Sequence, residues 1–124
     1  MLKTMLIVDD NPLLTELFDE LLNELFHVKI ANSVAEALDE LSHNTIDAMI
    51  CDYHIGMQNA EVLIDWIRNQ QPNLMSKFIL ITGETQLDLN LHKKVSSILY
   101  KPVAMEELLT TAERLFNQVQ RIQG

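Results

Sequence analysis

Short apolar runs that each end on a polar residue, with amphipathic stretches between them, constrain this chain more than any other feature. Met5-Leu6-Ile7-Val8 runs into Asp9 and Asp10, Met49-Ile50-Cys51 into Asp52, Phe78-Ile79-Leu80-Ile81 into Thr82, and Ile98-Leu99-Tyr100 into Lys101. Runs this apolar read as strands covered on both faces, the habit of parallel sheets. Parallel neighbours need a crossover, usually a helix and nearly always right-handed.

The intervening stretches supply those helices. Asn11 is placed to cap a helix that starts at Pro12 and repeats Leu13, Leu14, Leu17, Phe18, Leu21, Leu22 and Leu25 at helical spacing. His27 to Ala31 reads as a second strand, and Ser33 with Glu36 forms a capping box for Val34, Ala37, Leu38 and Leu41. The third strand is expected over Ile46 to Cys51, followed by a loop from Asp52 to Asn59 and a helix with Ala60, Leu63, Trp66 and Ile67 on one face.

Pro72 and Asn73 then break the chain before a strand over Lys77 to Ile81. Between the fourth and fifth strands Leu87, Leu89 and Leu91 alternate like a strand, while Leu87, Leu91 and Val95 fit a helix. The need for a crossover decides for a short helix. Met105, Leu108, Leu109, Ala112, Leu115, Phe116, Val119 and Ile122 define the last helix, with acids at its start and arginines later, as the macrodipole favours.

Five strand–helix units predict an α/β, doubly wound parallel sheet, of order 2-1-3-4-5 or part of a larger one. At 124 residues the chain fits one domain over residues 1–124, large enough for a single core. Eighteen acids against nine Lys and Arg argue against direct nucleic-acid contact, which needs clustered cations. The apolar runs are far shorter than the ~20 residues of a membrane span, and a lone Cys51 fits a reducing compartment, so the cytoplasm is the expected location.

If the strands are parallel neighbours, Asp9, Asp10, Asp52, Thr82 and Lys101 meet at the carboxyl edge of the sheet, where such folds bind ligands. Three neighbouring carboxylates repel one another until a proton or a cation joins them. Magnesium suits such a set, with manganese as an alternative, because it takes oxygen ligands and works through one or two carboxylates plus a phosphate. Asp52, alone on the middle strand, is the candidate nucleophile toward phosphorus, with Lys101 and Thr82 placed to stabilise the transferred group.

Five such residues in order at strand ends resemble the receiver domain of two-component response regulators, and the resemblance runs from about Lys3 into the last helix. It implies a flavodoxin-like fold and transfer of a phosphoryl group from the phosphohistidine of a sensor kinase or a histidine phosphotransfer protein to Asp52. Asp9 and Asp10 resemble the family's metal-binding acids, and the main-chain carbonyl of His54 would complete the metal site. Thr82 resembles the switch hydroxyl, and Lys101-Pro102 the lysine with its cis peptide. The domain would be a signalling phosphoacceptor acting on an output domain or downstream protein, with at most single-turnover chemistry of its own. Family habit also suggests a homodimer through the fourth helix, fifth strand and last helix.

Some residues depart from the family's pattern. The usual aromatic three residues before the lysine is Ile98, while Tyr100 lies beside Lys101, and the stretch from Thr82 to Lys101 is about three residues short. Gly56 replaces a common proline, which should free the backbone after Asp52, and Ala60 replaces a frequent glycine. His54 and Glu84, each two residues beyond a key side chain, are expected to flank the path of hydrolytic water and tune phosphoryl lifetime.

Two other functions compete with this one. A phosphorylation-independent pseudo-receiver would use the unusual output face alone, but the acids are intact. A magnesium-dependent aspartyl-phosphate phosphatase of the haloacid dehalogenase type needs an acid two residues beyond its nucleophile, and neither Asp9 nor Asp52 has one. Gly56, Gly83 and Gly124 build no glycine-rich phosphate loop. Cys51 and Trp66 read as core, and His27, His43, His54 and His92 lack the spacing of a zinc site.

Overall fold

The computed structural model describes residues 2–84 and 89–123, with side chains up to residue 116. Its elements are β1 (Lys3–Val8), α1 (Pro12–Leu22), β2 (Phe26–Ala31), α2 (Val34–His43), β3 (Ala48–Asp52), a small hairpin of β4 (His54–Ile55) and β5 (Gln58–Asn59), α3 (Ala60–Gln70), a 3-10 turn (Pro72–Lys77), β6 (Phe78–Thr82), α4 (Leu89–Lys94), β7 (Ser97–Tyr100) and α5 (Met105–Gln123). The main sheet is parallel with order β2-β1-β3-β6-β7, which is 2-1-3-4-5 when the hairpin is set aside.

Strand alternation sorts the core into two layers. Leu6, Val8, Met49, Cys51, Phe78 and Leu80 face α2 and α3, where Ala37, Leu41, Leu63, Ile64 and Ile67 meet them. Met5, Ile7, Ala48, Ile50, Ile79, Ile81 and Leu99 face Phe18 and Leu22 of α1 and Leu108, Ala112 and Leu115 of α5. Cover on both faces is why β1, β3 and β6 are unbroken apolar runs.

The caps at Asn11 and Ser33 act as expected, Asn11 Oδ1 accepting from the Leu13 amide and Ser33 Oγ from Glu36, while Asn59, expected only as the end of a loop, also caps α3, its Oδ1 accepting from Glu61. Several expectations are corrected. β3 begins at Ala48 and includes Asp52, and the loop after it carries the β4–β5 hairpin, which turns through Gly56 at φ 61°. The Pro72–Asn73 break is a 3-10 turn that buries Leu74 and Met75.

On α1 the core-facing stripe is Thr15, Phe18 and Leu22. Leu13 and Leu17 lie on its outer flank, and Leu25 falls beyond the helix end. Ile64 is the fully buried partner of Leu63 on α3, and Trp66 only packs against the core margin. α4 is the expected short helix, with Leu91 buried and Leu89 exposed, while Leu87 lies outside the described residues, as do the side chains of Val119 and Ile122.

Candidate functional site

Register brings the site together. Val8 pairs with Cys51 and Asp52 with Ile81, so β1, β3 and β6 end side by side, and Tyr100 of β7 stands level with Thr82. Ligand atoms of Asp9, Asp10 and Asp52 all lie within 4.8 Å of one another. Lys101 Nζ is 3.1 Å from Asp52 Oδ1, and its own amide donates to the Thr82 carbonyl at 2.8 Å. The Lys101–Pro102 peptide is cis.

Each carboxylate is held differently. Asp9 is nearly fully buried, accepts from the Asn11 amide at 2.9 Å, and its carbonyl accepts from Asn32 Nδ2 at 2.8 Å. Burial above all, opposed by that amide and reinforced by the charge of Asp52, pushes its carboxyl up to about 6. Asp10 is exposed, and its Oδ2 accepts from the Gly56 amide at 3.0 Å. Asp52 is buried, with Lys101 beside it at the solvent boundary.

Thr82 is fully buried, and its Oγ1 accepts from the Glu84 amide at 2.9 Å. Above it, the His54 ring and the Glu84 carboxylate meet, Nε2 to Oε1, at 3.0 Å. That contact joins the loop after β3 to the loop after β6 at the mouth of the site. The neighbouring Tyr53 ring packs edge-on to His54 with centroids 5.0 Å apart, and its hydroxyl donates to Glu61 at 2.7 Å, a bond that pushes the phenol up to about 12.

Asp9, Asp10, Asp52, Thr82 and Lys101 thus converge, and His54 and Glu84 line the rim. Ile98 packs half-buried against the α2–α3 side of the core, and Tyr100, two residues on, is 43% exposed. Cys51 points away from the site into the core, where burial raises its thiol far above the ordinary range. Among the described residues, the acid trio is the cluster suited to a metal, and no histidine joins it.

Asn32 and the amide of Gly56 also hold the site, though nothing in the local sequence pattern marks either. Asn32 links the Asp9 carbonyl to Thr15 Oγ1, a contact between elements that no local spacing announces. Gly56 was expected to loosen the loop, yet its N–H ties the loop to Asp10. The proline common in the family at this position has no N–H to donate, and that substitution was the available signal.

A doubly wound parallel sheet with three carboxylates, a hydroxyl and an ammonium at its carboxyl edge defines a flavodoxin-like domain with an acidic pocket. The family model of the response regulator receiver domain matches residues 5–113, and the chain belongs to that family of signalling domains. Similar solved structures include the CheY-like receiver domain protein of Methanospirillum hungatei JF-1, 24% identical over 98% of this chain and 99% of that one with a TM-score of 0.83. The CheY-like receiver domain of Methylobacillus flagellatus is 26% identical over 93% and 99%, with a TM-score of 0.81. The beryllofluoride-activated NtrC4 receiver domain dimer is 24% identical over 93% and 97%, with a TM-score of 0.81. None of the curated proteins compared matches the sequence. Among the described residues no helix is long and apolar enough to cross a membrane.

Proposed function

We propose that this chain is a single phosphoacceptor domain that takes a phosphoryl group onto Asp52 from a phosphohistidine and changes its partner surface as a result. The observation that carries this reading is the 3.1 Å contact of Lys101 Nζ with a buried Asp52 carboxylate that two further acids approach. The donor set fits a hard divalent ion: it is all oxygen, compact, and charged enough that Asp9 is pressed toward holding a proton. The carboxylates of Asp9, Asp10 and Asp52 and the main-chain carbonyl of His54 would hold Mg2+, or Mn2+. Once bound, the ion supplies positive charge to the phosphoryl oxygens.

This chain's residues do the rest. An Asp52 oxygen attacks phosphorus in line; the new O–P bond forms as the P–N bond to the donor imidazole breaks, and that nitrogen keeps the electron pair. Lys101 balances charge on the acceptor and on a phosphoryl oxygen. Thr82, whose hydroxyl proton is not committed to the Glu84 amide, donates to another and moves toward the site. Tyr100, paired with Thr82 across the sheet, and Ile98, both on β7, transmit that shift to the surface of α4, β7 and α5.

Incubation with magnesium and a small phosphodonor is expected to add one phosphoryl group by mass. No gain with any donor or kinase would leave the pseudo-receiver, and repeated turnover of phosphate esters would make the chain a phosphatase.

His54 and Glu84 are proposed to set phosphoryl lifetime by narrowing the approach of water. A hydrogen bond of this kind is worth ~0.5–1.5 kcal/mol, so His54→Ala or Glu84→Ala should hasten aspartyl-phosphate loss by about two- to tenfold. An unchanged decay rate in both variants would remove the role.

A protein donor needs a docking surface beside Asp52. Leu13 on the first turn of α1 is 76% exposed and Leu17 44%, with Met57 fully exposed at the hairpin tip. Leu13→Asp with Leu17→Asp should slow transfer from a phosphorylated partner about tenfold or more while leaving labelling by a small phosphodonor intact. Equal slowing by both routes would point instead to damage at the site.

The surface of α4, β7 and α5 is where a second copy would pair. Its support is the position of β7 at the edge of the sheet, with Tyr100 exposed on it, and the dimeric state of one similar receiver. Light scattering should show a dimer on phosphorylation, and a monomer in both states would discard pairing.

A further inference from the structure

At the end of the sheet opposite Asp52, the last turn of α3, the 3-10 turn and α4 border an open hollow of about 570 Å³ lined by Arg68, Pro72, Met75, Asn90, Lys93 and Lys94. This size lies within the range of small-molecule sites, ≈ 300–1,000 Å³. In a chain with eighteen acids and nine Lys and Arg, three cations around one hollow are a local reversal of charge.

Their lack of partners is more telling. Lys29 pairs with Glu40 and Lys101 with Asp52, while Lys77 donates to the Leu115 carbonyl and, with Lys3, covers the Phe116 ring. Among the described residues, Arg68, Lys93, Lys94 and Arg114 are the cations without a hydrogen bond, ion pair or ring contact, and three of these four line this hollow. The helix dipole accounts for a cation in the last turn of α3 or of α4. It does not account for their gathering around one hollow beside Pro72 and the edge of the buried Met75.

We propose that this hollow binds a phosphorylated small molecule of nucleotide size, its phosphates held by the Arg68 guanidinium and the Lys93 and Lys94 ammoniums and its apolar body against Pro72 and Met75. A guanidinium offers paired donors that match phosphate geometry, and the lysines add point charges. The site is separate from the phosphoacceptor chemistry, so either reading stands or falls without the other.

The test is titration of the whole chain with ADP in chelator, which keeps metal from drawing phosphate to the acids, followed by amide chemical shifts. Saturable shifts at Arg68, Met75, Lys93 and Lys94 are expected, weakening as salt is added. Pyrophosphate should reproduce the shifts at the cations but not at Met75. Arg68→Gln combined with Lys94→Gln, both on the outer surface and outside the core, should weaken ADP binding about tenfold or more.

Shifts confined to the acidic pocket, no shifts at millimolar ADP, or equal shifts with adenosine would each overturn the proposal. A glutamate-rich peptide that moves these amides when ADP does not would also overturn it, and would assign the surface to a protein partner.

Discussion

Asp52→Asn is expected to abolish the gain of one phosphoryl group from magnesium and a small phosphodonor, slowing it by at least about 10³-fold, or ~4 kcal/mol in the barrier. The amide has nearly the same shape, so the β3 end and the packing around it are preserved, but its oxygen is a far weaker nucleophile than a carboxylate. Lys101 then loses the charge it faces at 3.1 Å. The wild-type and variant chains should have the same far-ultraviolet dichroism, which separates lost chemistry from lost fold. Undiminished labelling of the variant would mean that another side chain is the acceptor, and the proposed role of Asp52 would be wrong.

The second large effect is on stability and comes from Asp9. Its carboxyl sits at about 6 in the folded chain against an ordinary 3.8, chiefly because it is buried and faces Asp52. The folded state therefore binds a proton that the unfolded chain has already released. In chelator, stability should fall as pH rises from about 4 to about 6 and stay low above that, the reverse of a salt-bridged carboxylate.

Magnesium held at the proposed site would bind the folded chain alone, so at neutral pH it should restore stability by ~2.7 kcal/mol at a hundred times its dissociation constant. Asp9→Asn keeps an oxygen for the Asn11 amide but removes the charge. It should flatten the pH slope, raise Tm in chelator by a few degrees, and blunt the response to magnesium. Thermal melts across this pH window, with and without magnesium, check all three. A flat profile that ignores magnesium would show that the three acids do not act as a charged unit.

The site mouth shows how residues outside the chemistry acquire importance. His54 and Glu84 are expected from sequence to flank the approach to the acceptor, each from its own loop. The folded chain joins them at 3.0 Å, so one contact spans both loops. Gly56 supplies a second tie from the same hairpin to Asp10. The loop after Asp52 is thus anchored to a metal-binding candidate on one side and to the rim on the other.

Local pattern by itself determined the alternation of strand and helix, the caps at Asn11 and Ser33, and the polar residues on which the strands end. Period-two and period-3.6 burial, and the reach of a side chain to its own helix start, are properties of neighbours in the chain. It also carried the five site residues, because a parallel sheet brings its carboxyl ends to one edge whatever the loops do.

Tertiary structure decided which apolar residues are core. Leu13 and Leu17 follow the helical repeat of α1 yet remain outside, while Thr15 is buried. Ile64, outside the expected face of Ala60, Leu63, Trp66 and Ile67, is buried in the core, while Trp66 is only partly buried at its margin. It also decided the contacts between residues far apart in the chain: Asn32 with Asp9, Gly56 with Asp10, and His54 with Glu84. Such pairings depend on the register of strands and the path of loops, quantities set by the whole packed sheet rather than by any short stretch of residues.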